Sequence, residues 1–376
     1  DICSKIGSGA TPRGGKEAYS ASGIPIIRSQ NVLDWSFSSN GLAYLNDEQA
    51  RTLSNVEVHQ GDILLNITGD SVARACIVPS DVIPARVNQH VAILRPKEKA
   101  NATFILAWLQ TNKDLLLKLA SSGATRNALT KRMLEGLDIN LPSIDIQNHI
   151  AALISLIQSK INLNIKLNGY LLELATTRFE QALFKSNRVV RLGDIVKLED
   201  SKRVPLNSRD RDARKGPYPY YGATSIMDYV DDYLFDGIRV LLGEDGSVID
   251  ESGRPILQYV WGKYWVNNHA HILAAASDYS LEAIYIALQR TPISHIVTGA
   301  VQRKISQRNL NKLKLEMPDA KSLEYLQDIF AAYRCNCEEN RGLVSLRDAL
   351  LPKLMSGEID VSKIDVAQLN SHLAEY

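Results

Sequence analysis

No apolar run in these 376 residues approaches the roughly 20 needed to cross a bilayer, and no secretory signal opens the chain. Neither a membrane span nor export is therefore expected. Cysteine is scarce, and Cys3, Cys76, Cys335 and Cys337 have no framework spacing, which argues against a disulfide scaffold and fits a reducing, cytoplasmic setting. Cys335 and Cys337 lie inside a helical pattern with no second pair nearby, so no metal site is expected there. A surplus of charge of either sign is also missing. At a net charge of +1, nothing global draws the chain to nucleic acid or membrane, and any such signal must be local.

Catalytic motifs are absent as well. The glycine-bearing stretch GSGATPRGG (7–15) is not followed by a helix pattern, so it does not form a phosphate-cradling loop. The sequence has no His-Glu-x-x-His, no nucleophile elbow and no Asn-Pro-Pro-aromatic motif of the adenine-methyltransferase type. His90 and His269 recur in apolar stretches read as strands, where a hydrogen-bonded structural imidazole is the expected role. No catalytic residue and no metal ligand is assigned.

What is present is a repeat. LDINLPSIDIQNHIAALISLIQSKINLN (137–164) returns in rhythm as LKLEMPDAKSLEYLQDIFAAYRCNCEEN (313–340), 176 positions later, with Pro142 on Pro318 and Asn164 on Asn340. The similarity spans nearly the whole chain. DICSK at the start returns as GDIVK (193–197), there preceded by VVRL, so the first copy is expected to be clipped just before its opening strand. GIPIIRSQNV (23–32) matches GPYPYYGATSI (216–226), GDILLNITGD (61–70) matches GIRVLLGEDG (237–246), and RVNQHVAIL (86–94) matches WVNNHAHIL (265–273). Short β-rich runs broken by Gly and Pro, then a helical stretch (103–120 and 281–290), predict a mixed α/β (α+β) unit written twice. A length of 376 residues with 45% apolar content suits two or three domains of ordinary globular composition.

Each copy ends in a long helix of close to 40 residues, roughly 55–60 Å at ~1.5 Å per residue. A seven-residue repeat places Ile150, Leu153, Ile157, Asn164, Leu167, Leu171 and Leu174 on the first seam, interrupted by Lys160. The second seam takes Leu326, Ile329, Tyr333, Asn340, Leu343 and Leu350, interrupted by Asn336. If the helices pair antiparallel, Asn164 and Asn340 face each other and fix the register at some expense in stability. Pro352 is expected to end or kink the second helix near Leu351 and to turn KLMSGEI back toward the first domain.

Charge is informative locally. Residues 115–134 carry no acid but include Lys118, Arg126, Lys131 and Arg132. Residues 283–315 are again acid-free, with Arg290, Arg303, Lys304, Arg308, Lys312 and Lys314. Arg132 matches Arg308, and each window holds a Gly-Ala loop before a short helical stretch, an arrangement suited to phosphate oxygens. Arg126, Lys131, Arg132, Arg303, Lys304 and Arg308 are the expected phosphate contacts.

GSGATPRGGKEAYSASGIPIIRSQNV (7–32) and the closing RDALLPKLMSGEI (347–359) resemble the DNA-specificity subunit of type I restriction–modification enzymes, over essentially the whole chain. The resemblance implies two target recognition domains, each reading half of a split double-stranded DNA sequence, with the two long helices paired antiparallel between them. On that pattern the domains span 1–143 and 188–318, the helices 144–187 and 319–360, and a tail 361–376. The resemblance also implies a subunit without catalytic activity or cofactor of its own. Its partners would be two modification subunits, which methylate adenine with S-adenosylmethionine, and a restriction subunit that uses ATP and Mg to translocate and cleave. Base reading in the major groove is then expected from Arg28, Gln30, Asn31, Thr68 and Arg74 in the first copy, and from Tyr221, Thr224 and Glu244 in the second. The alternative is a coiled-coil scaffold with two protein-binding heads and no DNA role, which would have no need of the matched basic windows.

Overall fold

The computed structural model of the chain describes residues 2–12, 14, 18–121, 127–299 and 302–364. It divides into two compact units, one of Asp1–Asn164 with Glu339–Tyr376 and one of Ile165–Glu338. Two long helices, Ile144–Lys185 and Tyr325–Ser356, each contribute a part to either unit.

In the first unit, Cys3–Ser8, Val91–Pro96, Ile63–Asn66 and Ala75–Ile77 form an antiparallel four-stranded sheet in that order. The ILLN strand sits centrally and is buried on both faces, which is why it reads as a continuous apolar run rather than an alternating one. A second sheet orders Ala43–Leu45, Ile24–Ile27, Ala85–Val87 and Glu57–Val58, and its two middle strands are parallel. Helix Ala102–Thr111 covers the first sheet and is capped by Asn101, whose side chain accepts from the Thr103 and Phe104 amides.

The second unit repeats this plan. Val196–Leu198, Ala270–Ala275, Arg239–Gly243 and Leu257–Val260 form one sheet, in the same order and sense. Ile226–Val230, Lys215–Tyr221, Lys263–Val266 and Phe235–Asp236 form the other, again with a parallel central pair. Strand Lys314–Met317 pairs with Arg188–Arg191, joining the end of the unit to its beginning.

The long helices run antiparallel within each unit. In the first, Arg347 Nη1 donates to Gln158 Oε1 (2.9 Å) and Asn340 Nδ2 to the Ile161 carbonyl (3.2 Å), so an advance along one helix is a retreat along the other. In the second, Asn336 Nδ2 donates to Asn168 Oδ1 (2.8 Å). The buried stripe of the first helix is Ile150, Ile154, Ile157, Ile161, Asn164, Asn168, Ala175 and Phe179. This corrects the expected seam at Leu153, Leu167 and Leu174. The true stripe shifts by one residue onto Ile154, Asn168 and Ala175, leaving Leu167 43% exposed while Ile161 is 5% exposed. On the second helix Phe330 takes the fully buried place expected for Ile329.

The expected helix end at Leu351 is also corrected. The helix continues through Pro352 to Ser356 and stops at Gly357, whose φ is +76°. Proline removes only the bond to the Asp348 carbonyl, and just one turn remains beyond it. Leu351 and Leu354, seated in the core with Ile150 and Ile154, hold that turn helical. The chain then turns back, and Val361 rejoins the same core.

Candidate nucleic-acid interface

One frame of backbone hydrogen bonds recurs in both units and fixes which residues correspond. The Asn88 amide donates to the Ile27 carbonyl and the Asn267 amide to the Tyr221 carbonyl, both at 3.0 Å. Each of these asparagines, nearly buried, then accepts from the amide of a histidine in the following turn, Asn88 from His90 (3.0 Å) and Asn267 from His269 (2.8 Å). The Ile67 amide donates to the His90 carbonyl as the Glu244 amide donates to that of His269. Leu129 donates to Ile67 as Ile305 donates to Glu244, and Gly69 donates to Asn127 as Gly246 donates to Arg303. Gly69 (φ +74°) and Gly246 (φ +78°) both adopt the left-handed conformation that turns this loop.

The side chains on this frame converge at the turn. Thr68 Oγ1 is hydrogen-bonded to His90 Nδ1 at 2.6 Å, and Asp245 Oδ1 lies 2.7 Å from His269 Nδ1. In the first unit they open onto a cavity of about 820 Å3 whose lining includes Gln30, Thr68, Arg74, His90 and Asn127. Three expected base readers, Gln30, Thr68 and Arg74, thus share one polar concavity. Arg28 lies beside it, stacked over Tyr19 with its guanidinium bonded to the Gly41 carbonyl. In the second unit Thr224 is exposed in the turn closed by the Gly222–Ser225 bond.

Three expected readers have other roles. Asn31 is fully buried: its Oδ1 accepts from the Arg28 amide and its Nδ2 donates to the Ser38 and Asn40 carbonyls, so it shapes the loop. Tyr221 occupies the place of core residue Ile27 and packs with Phe235 and Tyr264. Glu244 is committed to an ion-pair network, as follows.

Glu244 Oε2 accepts from Arg203 at 2.6 Å, and its Oε1 lies 3.3 Å from Lys304 Nζ. Asp200 Oδ2 lies 2.6 Å from His271 Nδ1 and accepts from Gln307 Nε2, while its Oδ1 accepts from the Ile272 amide. Nε2 of His271 donates to the Ile305 carbonyl at 2.8 Å. Burial pushes both carboxyls upward in pKa but is outweighed. His271, the Ile272 amide and Arg203 hold Asp200 below its ordinary value, and Arg203, His271 and Lys304 do the same for Glu244. Asp200, Glu244 and His271 have the composition of a metal site and lie within 4.8 Å of one another. Their ligand atoms already serve these protein partners, so the cluster acts as an ion-pair network that ties the basic segment 303–308 to the core. The matched positions in the first unit, Ser8, Ile67, Ala92 and Ala128, are uncharged.

The expected phosphate contacts fall on short, matched elements. Lys131 and Arg132 open helix Lys131–Glu135, capped by Thr130, and Arg308 is second in helix Gln307–Asn311, capped by Ser306. All three are exposed, as are Arg303 and Lys304, and Lys131 pairs with Glu135 at 3.5 Å. Arg126 lies outside the described residues.

The model of the type I restriction modification DNA specificity domain matches residues 1–171 and again 185–333. The chain belongs to this family. The MjaIX specificity subunit of a Methanocaldococcus jannaschii type I restriction enzyme is 22% identical over 96% of this chain and 92% of its own length. A Haemophilus influenzae relative is 30% identical over 127 residues, a match that takes in 34% of this chain and 32% of that protein. The crystal structure of a type I restriction–modification S subunit from M. genitalium has the same fold, with a TM-score of 0.54 at 16% identity over 93% of each chain. Among the described residues, no helix of this specificity-family protein is long and apolar enough to cross a membrane.

His90 and His269 are hydrogen-bonded, as expected of them, to Thr68 and Asp245, whereas Asn127 and Asp245 drew no expectation from the sequence. The sequence pattern puts the two histidines in strands, yet they sit in turns. The available signal was the repeated Asn-x-His in VNQH and VNNH, where an Asx turn presents the imidazole outward.

Proposed function

We propose that the chain is the sequence-reading subunit of a type I restriction–modification system, with each unit reading one half of a bipartite double-stranded DNA target. The observation that carries this reading is the duplicated frame. The same backbone bonds present Thr68 with His90 and Asp245 with His269, each a short step before a capped helix bearing an exposed arginine, Arg132 or Arg308. Equivalent backbones with different side chains suit two readers of different sequences, while the shared arginines suit the phosphates that both half-sites have in common. A protein-binding scaffold would have no use for that division.

On this reading the chain is not itself catalytic. Adenine methylation belongs to two modification subunits carrying S-adenosylmethionine, and ATP- and Mg-dependent translocation and cleavage belong to a restriction subunit, all working in the cytoplasm. DNA footprinting of the chain, with and without its modification subunits, tests it. Two protected segments separated by a fixed spacer are expected. A chain that protects no DNA in either state overturns the reading in favour of the scaffold.

A further inference from the structure

Among the positions where the two units differ on the repeated frame is the one just before its turn glycine. Thr68, in the first unit, offers a hydroxyl that can donate or accept. Its counterpart Asp245 offers a carboxylate that only accepts when ionised. The equivalence rests on the flanking bonds, Ile67 and Glu244 to the histidine carbonyls and Gly69 and Gly246 to Asn127 and Arg303, and on the matching bridges Thr68–Ala128 and Asp245–Lys304. Thr68 lines the open cavity of the first unit, so Asp245 holds the corresponding place in the second. Its side chain is partly exposed, and His269, itself well exposed, holds it at 2.7 Å.

A carboxylate turned toward DNA is repelled by phosphate and matched by a base edge only where that edge donates. In the major groove the donors are the exocyclic amines, N4 of cytosine and N6 of adenine, whereas the guanine O6 and thymine O4 edges present acceptors. We infer that Asp245 is a specificity-determining residue that selects an amino-bearing base, cytosine or adenine, at one position of the second half-site. This rests on the DNA-reading function proposed above. His269 is then a positioning residue: its Nδ1 holds Oδ1, which orients the carboxylate toward the groove. In the first unit Thr68 accepts either kind of edge, so the corresponding position there carries no strict amine requirement.

The test uses the full chain and a library of duplexes with two randomised segments, sequencing the bound fraction. The wild-type chain is expected to enrich two segments, and at one position of the second, read on the strand that the order of the two segments defines, cytosine or adenine is expected to the exclusion of guanine and thymine. Asp245→Asn adds a donor beside the acceptor and should relax that preference about tenfold toward guanine and thymine. Asp245→Thr, which imports the side chain of the first unit, should relax it similarly, while enrichment of the other segment persists and shows the variants to be folded. Thr68→Asp should create a new amine preference in that other segment. Enrichment of no sequence by the wild-type chain overturns the DNA-reading function and this inference with it. Two enriched segments that all three variants leave unchanged overturn the inference alone.

Discussion

Asn164 Nδ2 donates to Asn340 Oδ1 at 2.9 Å, and Asn340 in turn donates from its own Nδ2 to the Ile161 carbonyl. Asn164 also reaches Glu339 Oε2 at 2.7 Å, and Lys160 lies 3.4 Å from the other oxygen of that carboxylate. Two amides at matched places in the repeat therefore meet on a mostly apolar stripe. Such a rung is satisfied only when the helices are in one register.

The pair should be energetically coupled. Asn340→Leu removes the hydrogen bond from Asn164 and the one to the Ile161 carbonyl, leaving the Asn164 amide with Glu339 alone, and should cost about 1 kcal/mol. Replacing Asn164 and Asn340 together with Leu should recover that loss, raising stability above either single variant while loosening register. Urea unfolding of the wild type, both singles and the double gives the coupling directly. An additive cycle would remove the amide pair from the account of how the helices are held.

The corrected seam makes a second prediction. Ile161→Ala removes a buried side chain and should cost about 2–5 kcal/mol, whereas Leu167→Ala, at 43% exposed, should change stability by about 0.5 kcal/mol or less. Chemical denaturation of the two variants checks it, and equal losses would return Leu167 to the seam.

Acid should loosen the two units unequally. Asp200 and Glu244 have folded-state pKa values below their ordinary ones, so their ionised forms stabilise the second unit above the ordinary carboxylate range, about pH 4–5. That contribution is lost as the pH falls through the depressed values. Its counterparts Ser8, Ile67, Ala92 and Ala128 do not titrate. Protection factors of the Ile305 amide, bonded to Glu244, should fall in acid before those of the Leu129 amide, bonded to Ile67. Parallel loss at both amides would show that the network does not anchor the basic segment.

These residues also mark how far the sequence could be read. The duplication, the mixed strand and helix content, the long helices and the meeting of Asn164 with Asn340 were all legible, because periodicity and offset carry them. Side-chain roles were less so. Equal-length phrases set Thr68 against Glu244, but the sheets pair Ile63 with Leu94 and Val240 with Leu273, which advances the match by one residue to Asp245. A single-residue slip turns a strand's side chains to the opposite face, so the expectation fell on Glu244, an ion-pair partner, and passed over Asp245. The seam failed similarly: leucines at 167 and 174 outbid Asn168 and Ala175 on hydrophobicity, yet close helix packing favours the small and hydrogen-bonded residues. Asn31 and Arg28 look alike as polar loop residues, and only the loop's backbone geometry shows that one is consumed in shaping it.

The proposed function makes its sharpest prediction at the arginines. Arg132 and Arg308 occupy the second position of capped short helices in the two units, both are exposed, and neither forms an ion pair among the described residues. Lys131 and Lys304 differ, since Glu135 and Glu244 lie within 3.5 and 3.3 Å of them. An interaction that both half-sites need irrespective of sequence is one with the DNA backbone. Removing a single phosphate-binding side chain should lower the slope of log affinity against log salt by about 0.9. Arg132→Ala and Arg308→Ala should each show that full change and weaken binding to cognate and non-cognate duplexes alike. Lys304→Ala should change the slope less, because its charge is already partly neutralised by Glu244. Salt titrations of the three variants on both duplexes make the measurement. Weakening confined to cognate DNA would make the arginines base readers, and unchanged slopes would leave the basic windows as solvated surface.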